Sequence, residues 1–493
     1  MMKKRYWLMA GLTAAFCWFG EAAAEPVPLS LAESIRLALA WNDSIDVAKS
    51  GREAAKWNLS AARRAKGPTV SWSSQLSKIG GRNYESAKRA HEIYGDPHTE
   101  TVLVGNLWDY PVTAEQTVGS YAYNNTFANS WSLTIPIYTG GQLEGQIDAR
   151  RYELNQADLN LENTRQTVRY QAAEAYSNLL HQENVVLIAQ EAVDMAQNEL
   201  NLILEQYGEG AVAKADVLMM QVRLANHRQN LVDAQGQLAV AKSNLANVVG
   251  LPQDADIRVT DVFSYEPYPR ELPDCEEYAM EHRPDGIAAD YAIKSAEAQV
   301  GAAKSGWRPR VTGSATQSIS SNSPFRSERS NQWEAGLGIT WNIFDSGVTS
   351  AGVHQAKAMV DQYRAEAERT KKNIQLETRS AYIQMRAAEE KIRGAKEAVQ
   401  NAEESYMIAQ VRYEEGVDIL LNVADAQERL TQARQNYNAA LYQYNLYRVA
   451  LEKAMGVPVG FDPELYAEAE GQGASPEKSL EASELLPEPM EEK

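Results

Sequence analysis

The sequence predicts a mainly α-helical chain of duplicated long coiled-coil hairpins, with four β-strands that supply a segment of a membrane β-barrel. The first observation is a ladder of apolar residues: Val186, Ala189, Val193, Ala196, Leu200, Ile203 and Tyr207. Its steps alternate three and four without a fault, the 3.5-residue period of a helix that supercoils against a neighbour. The second is its return 206 residues later as Ile392, Ala395, Val399, Ala402, Tyr406, Ala409 and Tyr413. Each copy then meets a glycine, Gly210 or Gly416, and the returning arms keep the register from Leu224 to Val248 and from Leu430 to Ala454. The third is strict two-residue alternation in two short stretches of each half.

In chain order, residues 1–24 read as a secretory signal. Lys3, Lys4 and Arg5 form the basic start, Tyr6 to Phe19 the apolar stretch, and Ala22-Ala23-Ala24 the cleavage site before Glu25. Cleavage there leaves Cys275 as the single cysteine, so no internal disulfide is expected. The first structural repeat spans residues 25–265. Ser30 and Glu33 make a capping box before a helical run from Leu31 to Arg64, with a break near Trp41-Asn42-Asp43. Gly67-Pro68 ends it, and Val70, Trp72 and Leu76 then alternate with Thr69, Ser71, Ser73 and Gln75. A long irregular loop, 78–129, is expected next. Alternation resumes with Trp131, Leu133, Ile135 and Ile137 opposite Ser130, Ser132, Thr134 and Pro136, and Tyr138-Thr139-Gly140-Gly141 closes the strand. A helix from Gly141 to Gly210 would extend roughly 100 Å, too long for a compact globule.

The second repeat, 266–462, follows the same order. A helical stretch from Leu272 to Gly306 ends at Arg308-Pro309, and Val311, Gly313 and Ala315 alternate with polar neighbours. Trp333, Ala335, Leu337, Ile339, Trp341 and Ile343 form one face of the fourth strand, closed by Phe344-Asp345-Ser346-Gly347. The inter-strand loop of the first repeat is longer by 35 residues, counted from Pro68 to Ile135 against Pro309 to Trp341. Residues 463–493 are rich in Glu, Pro and Ser and read as a disordered acidic tail.

Composition excludes several function classes. A net charge of −18 argues against a nucleic-acid partner, which needs clustered Lys and Arg. After the N-terminus no run of eighteen apolar residues occurs, so no transmembrane helix is expected. The six histidines are scattered and make no metal-ligand spacing; His227, between Leu224 and Leu231, falls in a packing slot. No phosphate loop, nucleophile elbow or HExxH occurs. The reading is therefore of a non-enzyme with no catalytic residue, metal or cofactor.

Four strands with one greasy and one polar face cannot close a barrel alone, and open edges are not tolerated in lipid. Three copies give a twelve-stranded barrel, and the same trimer collects twelve helical staves into a tunnel. A non-conducting periplasmic coiled-coil spacer is the competing reading of the periodicity; the polar strand faces count against it.

Several stretches together carry a resemblance. They are Leu31-Ala32-Glu33-Ser34-Ile35-Arg36-Leu37-Ala38-Leu39, the Pro-ended helices, Ile137-Tyr138-Thr139-Gly140-Gly141 with Ile343-Phe344-Asp345-Ser346-Gly347, Arg412-Tyr413-Glu414-Glu415-Gly416, and the half-ends Gly250-Leu251-Pro252 and Gly456-Val457-Pro458. In order and duplication, from Leu29 to Gly460, the sequence resembles the TolC-like outer-membrane efflux protein family. The resemblance implies a homotrimeric channel in outer-membrane lipid with a periplasmic helical tunnel. A periplasmic adaptor (membrane fusion) protein and an inner-membrane pump of RND or ABC type would feed it. The cargo it implies is drugs or other small molecules, or alternatively a protein secreted by an ABC exporter. The hairpin tips at Tyr207, Gly210, Tyr413 and Gly416 would meet the adaptor. Asp216 and Asp425 align with carboxylates that ring the periplasmic aperture. Asn422 stands where members often have another Asp, and Asp418 where some carry a basic residue, so the family's salt-bridge network is not carried over. Pro68, Gly140, Pro309 and Gly347 mark the strand–helix junctions. Trp72, Trp131, Trp333 and Trp341 are candidate membrane-interface anchors, with packing at the helix junctions the alternative for Trp341.

Overall fold

Ser30 caps the first helix as its sequence demands: its hydroxyl accepts from the Glu33 amide at 3.3 Å, and the Glu33 carboxylate accepts from the Ser30 amide. The computed structural model describes residues 27–78, 80–107, 110–118, 125–321 and 330–459. The expected signal peptide and acidic tail lie outside these residues.

From the N-terminus the elements are β1 (Val27–Leu29), α1 (Leu31–Trp41), α2 (Asp43–Arg64), β2 (Thr69–Lys78), α3 (Arg82–Tyr94), β3 (His98–Leu107), β4 (Tyr110–Val118) and β5 (Asn125–Tyr138). Then come α4 (Gln142–Gly208), α5 (Lys214–Val249), β6 (Ile257–Val259), α6 (Leu272–His282), α7 (Pro284–Ala303), β7 (Arg310–Ser321), β8 (Ser330–Thr340), α8 (Val348–Glu414) and α9 (Leu420–Met455). The duplication is kept residue for residue in the hairpins. Helices α4 and α8 both have 67 residues, α5 and α9 both 36. Gly250 and Gly456 end the returning arms in the left-handed conformation, at φ of 76° and 73°.

Packing divides the described chain into two units. The helical unit comprises residues up to Ala55, Leu154–Ala292 and those from Tyr363 onward; the sheet unit comprises Lys56–Glu153 and Ile293–Gln362. Each unit draws on both sequence repeats, so the two units do not coincide with the two repeats.

In the helical unit the first ladder is a true seam. Val193, Ala196, Leu200 and Ile203 pack against Val217, Met220 and Leu224 of the returning arm, with Leu420 from the second hairpin. Ala196 has no exposed surface, as expected where two helices approach closely. In the second ladder Ile392 is buried, while Ala395, Val399, Ala402 and Tyr406 are only half-buried. The break between α1 and α2 falls at Asn42, whose side chain donates to the Val248 carbonyl at 3.2 Å. A second break, not anticipated within 272–306, falls at Arg283, which is extended before Pro284; proline disfavours helix in the residue before it. β1 and β6 form a two-stranded parallel ladder pinned by Tyr176, whose hydroxyl bonds Asp261 at 2.8 Å and the Leu29 carbonyl at 3.2 Å.

In the sheet unit the four expected strands form one antiparallel sheet in the order β2-β5-β7-β8. Three expectations are corrected here. The chain has more than four strands: among the described residues β3 and β4 pair as a separate hairpin, and β1 with β6. The stretch 78–129 is not an irregular loop, since it carries α3, that hairpin and the start of β5. Its mixed polar and apolar composition hid both periods. The fourth strand ends at Thr340, so Trp341 and Ile343 lie beyond it.

Candidate functional site

The sheet register sorts side chains into two faces. One row across all four strands reads Trp72, Trp131, Gln317, Trp333, and the next reads Val70, Leu133, Ala315, Ala335. Ile135, Gly313 and Leu337 continue this face, and Val311 and Ile339 complete it. Trp72 and Trp131 stand 6.2 Å apart between ring centroids. The opposite face reads Ser71, Ser132, Thr316, Glu334 and then Ser73, Ser130, Ser318, Gln332. The Ser71–Ser132 and Ser73–Ser130 hydroxyl pairs are each 2.7 Å apart. The apolar face is exposed: Trp333 is 75% and Leu337 72% accessible. A bulge after Pro136 pairs Tyr138 with Val311 and leaves Ile137 unpaired.

The four junction residues sit where the backbone changes from strand to helix. Gly140 (φ 67°) disfavours any side chain on two grounds: the backbone is left-handed, and a Cβ would stand 2.9 Å from the Ser305 carbonyl oxygen. Arg308 donates to the Gly140 carbonyl at 3.3 Å. At the second junction Gly347 (φ 87°) is open, and Asp345 caps α8 by accepting from the Gly347 and Thr349 amides at 3.0 and 2.8 Å. Hydrogen bonds from Thr349 hold the Asp345 carboxyl below its ordinary range. Pro68 and Pro309 immediately precede β2 and β7. Trp341 donates its indole N–H to the Trp307 carbonyl at 3.1 Å, so it has a local packing partner.

The hairpin ends lie in the helical unit. Gly210 (φ 78°) and Gly416 (φ 71°) both turn the chain, donating to the Tyr207 and Tyr413 carbonyls at 3.0 and 2.9 Å. Asp216 accepts from the Ala213 amide at 3.2 Å and so caps its own helix. Asp418 and Asn422 are together, 2.5 Å apart, and Arg412 stands 3.4 Å from the other Asp418 oxygen. The bond from Asn422, helped by the Ile419 amide and Arg412, holds the Asp418 carboxyl below its ordinary range. Asp425, three residues beyond Asn422 on α9, pairs with Arg223 of the first hairpin at 3.3 Å. Tyr413 donates to Gln206 at 2.8 Å, a second tie between the hairpins.

Sequence reasoning missed Arg223, Gln206 and Glu199. Glu199 flanks the seam between Ala196 and Ile203, and its Oε2 is buried without a hydrogen-bond partner. Burial pushes its carboxyl up to about 7, opposed by Arg223. A carboxylate one residue from a seam Leu was the available signal; the partners of Arg223 and Gln206 lie over 200 residues away, beyond the reach of local pattern. His227 is buried, and burial pushes its imidazole down, in keeping with its packing slot. Among the described residues no three His, Cys, Asp or Glu side chains gather as a metal site, and no helix is long and apolar enough to cross a membrane.

Comparison with known proteins bears on these surfaces. The sequence model described as "outer membrane efflux protein" matches residues 34–251 and 277–457. The cobalt-zinc-cadmium resistance protein CzcC of Cupriavidus metallidurans is 24% identical over 399 residues, spanning 80% of this chain and 91% of that protein. The toluene efflux pump outer membrane protein TtgF of Pseudomonas putida is 25% identical over 276 residues, 55% of this chain and 56% of its own length; the chain thus matches about half of that relative. The CmeC outer membrane channel of Campylobacter jejuni has the same fold at a TM-score of 0.71, with 17% identity over 91% of this chain and 90% of that one. The chain belongs to the outer membrane efflux protein family, and is a non-enzymatic transport protein of the outer membrane.

Proposed function

We propose that three copies of this chain join their sheets into a twelve-stranded outer-membrane barrel, which with a periplasmic helical tunnel forms the exit duct of a tripartite efflux pump. The carrying observation is the four-stranded sheet itself: it has a hydroxyl face, a tryptophan-bordered apolar face, and two edges, β2 and β8, each with one neighbour. Such edges in lipid must be paired, because an unsatisfied backbone group there costs several kcal/mol. From Trp333 to Thr340, the end of β8, an extended chain covers about 23 Å, which a tilt of about 40° lays out as about 18 Å of height. That approaches the ~25 Å apolar band between aromatic girdles of outer-membrane barrels. The half-buried second ladder, with Leu376, Ile383, Met407, Ile408 and Val411 exposed on α8, supplies apolar surface for sister chains in the helical tunnel.

The hairpin ends carry the periplasmic entrance, with Gly210, Gly416, Tyr207 and Tyr413 offered to a periplasmic adaptor and Asp216, Asp418, Asn422 and Asp425 near the aperture. An inner-membrane pump supplies the energy, and the cargo is small molecules. The test is reconstitution of the detergent-purified protein in planar bilayers. Discrete conductance steps are expected; a protein that inserts or adsorbs without conducting would be the coiled-coil spacer instead. Deletion of the gene should then raise sensitivity to small toxic compounds; loss of a secreted protein with unchanged sensitivity would point to an ABC-type secretion duct.

A further inference from the structure

The hydroxyl face of the sheet is almost without charge. Along β2, β5 and β7 it presents Ser71, Ser132 and Thr316 and their neighbours, and among the described residues of the sheet the only ionic side chains on it are Glu334 and, at the first residue of β7, Arg310. These two are six register steps apart: Arg310 pairs with Thr340, Glu334 with Thr316. Glu334 is exposed, and the next two residues on its side of β8 are Gly336 and Gly338, where no side chain stands beside the carboxylate. The opposite partner, Thr316, offers a hydroxyl and no charge. Glu334 is thus a bare carboxylate on a wet wall that is neutral around it, with Arg310 at the far end of β7.

We propose that Glu334 sets the ionic preference of the barrel: three copies form an acidic ring in a hydroxyl-lined lumen that admits cations and neutral polar molecules and disfavours anions. This rests on the trimeric-barrel reading above. A twelve-stranded barrel with strands 4.8 Å apart and tilted about 40° has a backbone radius of about 12 Å. A glutamate reaching inward by about 4 Å places its charge about 8 Å from the axis, within the Debye length of about 10 Å at 0.1 M salt. Three such charges enrich a monovalent cation on the axis about threefold at 0.1 M and hardly at all at 1 M. Ser and Thr bring no competing field, and Arg310, six residues along β7 and so about 20 Å away, lies about two Debye lengths from the ring at 0.1 M salt.

The experiment is the reversal potential of the full-length protein in planar bilayers under a KCl gradient, in the native sequence and in an Asp216→Asn/Asp425→Asn background. In both, Glu334→Gln is expected to lower the potassium-to-chloride permeability ratio at least threefold at 0.1 M, with little change at 1 M. Glu334→Cys should behave like Glu334→Gln, and a sulfonate-bearing methanethiosulfonate added from the barrel side should restore cation preference. A conducting Glu334→Gln channel with an unchanged ratio in both backgrounds, or a Glu334→Cys channel that conducts but does not respond to the reagent, overturns the proposal. Absence of any conductance from the native protein overturns the barrel reading itself.

Discussion

Replacing Glu199 by Gln should stabilise the protein at pH 8 and leave it nearly unchanged at pH 4.5. In the folded chain, burial lifts this carboxyl from 4.5 to about 7, with only Arg223 pulling the other way. The unfolded chain releases the proton near 4.5, whereas the folded one holds it to about 7. Between these values the folded state binds more protons, so stability falls as pH rises and levels off above pH 7. At 1.36 kcal/mol for each pH unit between the two values, the loss is about 3 kcal/mol per chain, an order-of-magnitude figure. An amide of the same shape has no such ionisation, so the variant escapes the loss at high pH only. For a chain of this size that corresponds to a melting temperature higher by about 3 °C at pH 8. Thermal unfolding in detergent at pH 4.5 and 8 measures it. An equal shift at both pH values, or a lower melting temperature for the variant at pH 8, refutes the burial argument.

Other perturbations have outcomes of known sign. Gly145→Ala places a Cβ 2.7 Å from the Ala302 amide nitrogen and 2.8 Å from the Ala298 carbonyl and should cost about 1–3 kcal/mol. Gly236→Ala meets nothing within 4 Å in mid-helix and should gain about 0.5–1 kcal/mol in the same melting assay. Tyr176→Phe strips a hydroxyl from Asp261 and the Leu29 carbonyl and should cost about 1–3 kcal/mol. Asp425→Asn breaks an exposed pair with Arg223, so stability should move by less than about 1 kcal/mol. Hydrogen exchange around residues 207–216 and 413–425 should nonetheless rise, because one of the ties between the hairpins is gone.

The helical hairpins were legible because their period is a local property repeated over many turns. The ladder from Val193 to Ile203 named the buried seam, and the 206-residue offset recurs in every hairpin helix. Ser30 and Glu33, three residues apart, sufficed to place the first cap. The alternating strands were legible for the same reason, down to which residues share a face. Where neighbours in space are distant in sequence, local reading ended. The pairing of Asp425 with Arg223, 202 positions away, leaves no local signal in the sequence. The helix and hairpin within 82–118 were missed because short elements with mixed faces show no sustained period. Pro284 was in plain view, and the extended Arg283 before it follows from a rule that was there to apply.

Closure of the sheet by sister chains is tested most directly by cysteine cross-linking between its edges. Single cysteine pairs, one on β2 and one on β8, scanned along both strands in otherwise full-length protein, would be oxidised in isolated outer membranes and run on a denaturing gel. Bands of two and three chains, with none larger and only at positions of matching register, are the expected result. Cross-links absent at every register, or a ladder that stops at two or runs past three, would contradict the twelve-stranded barrel.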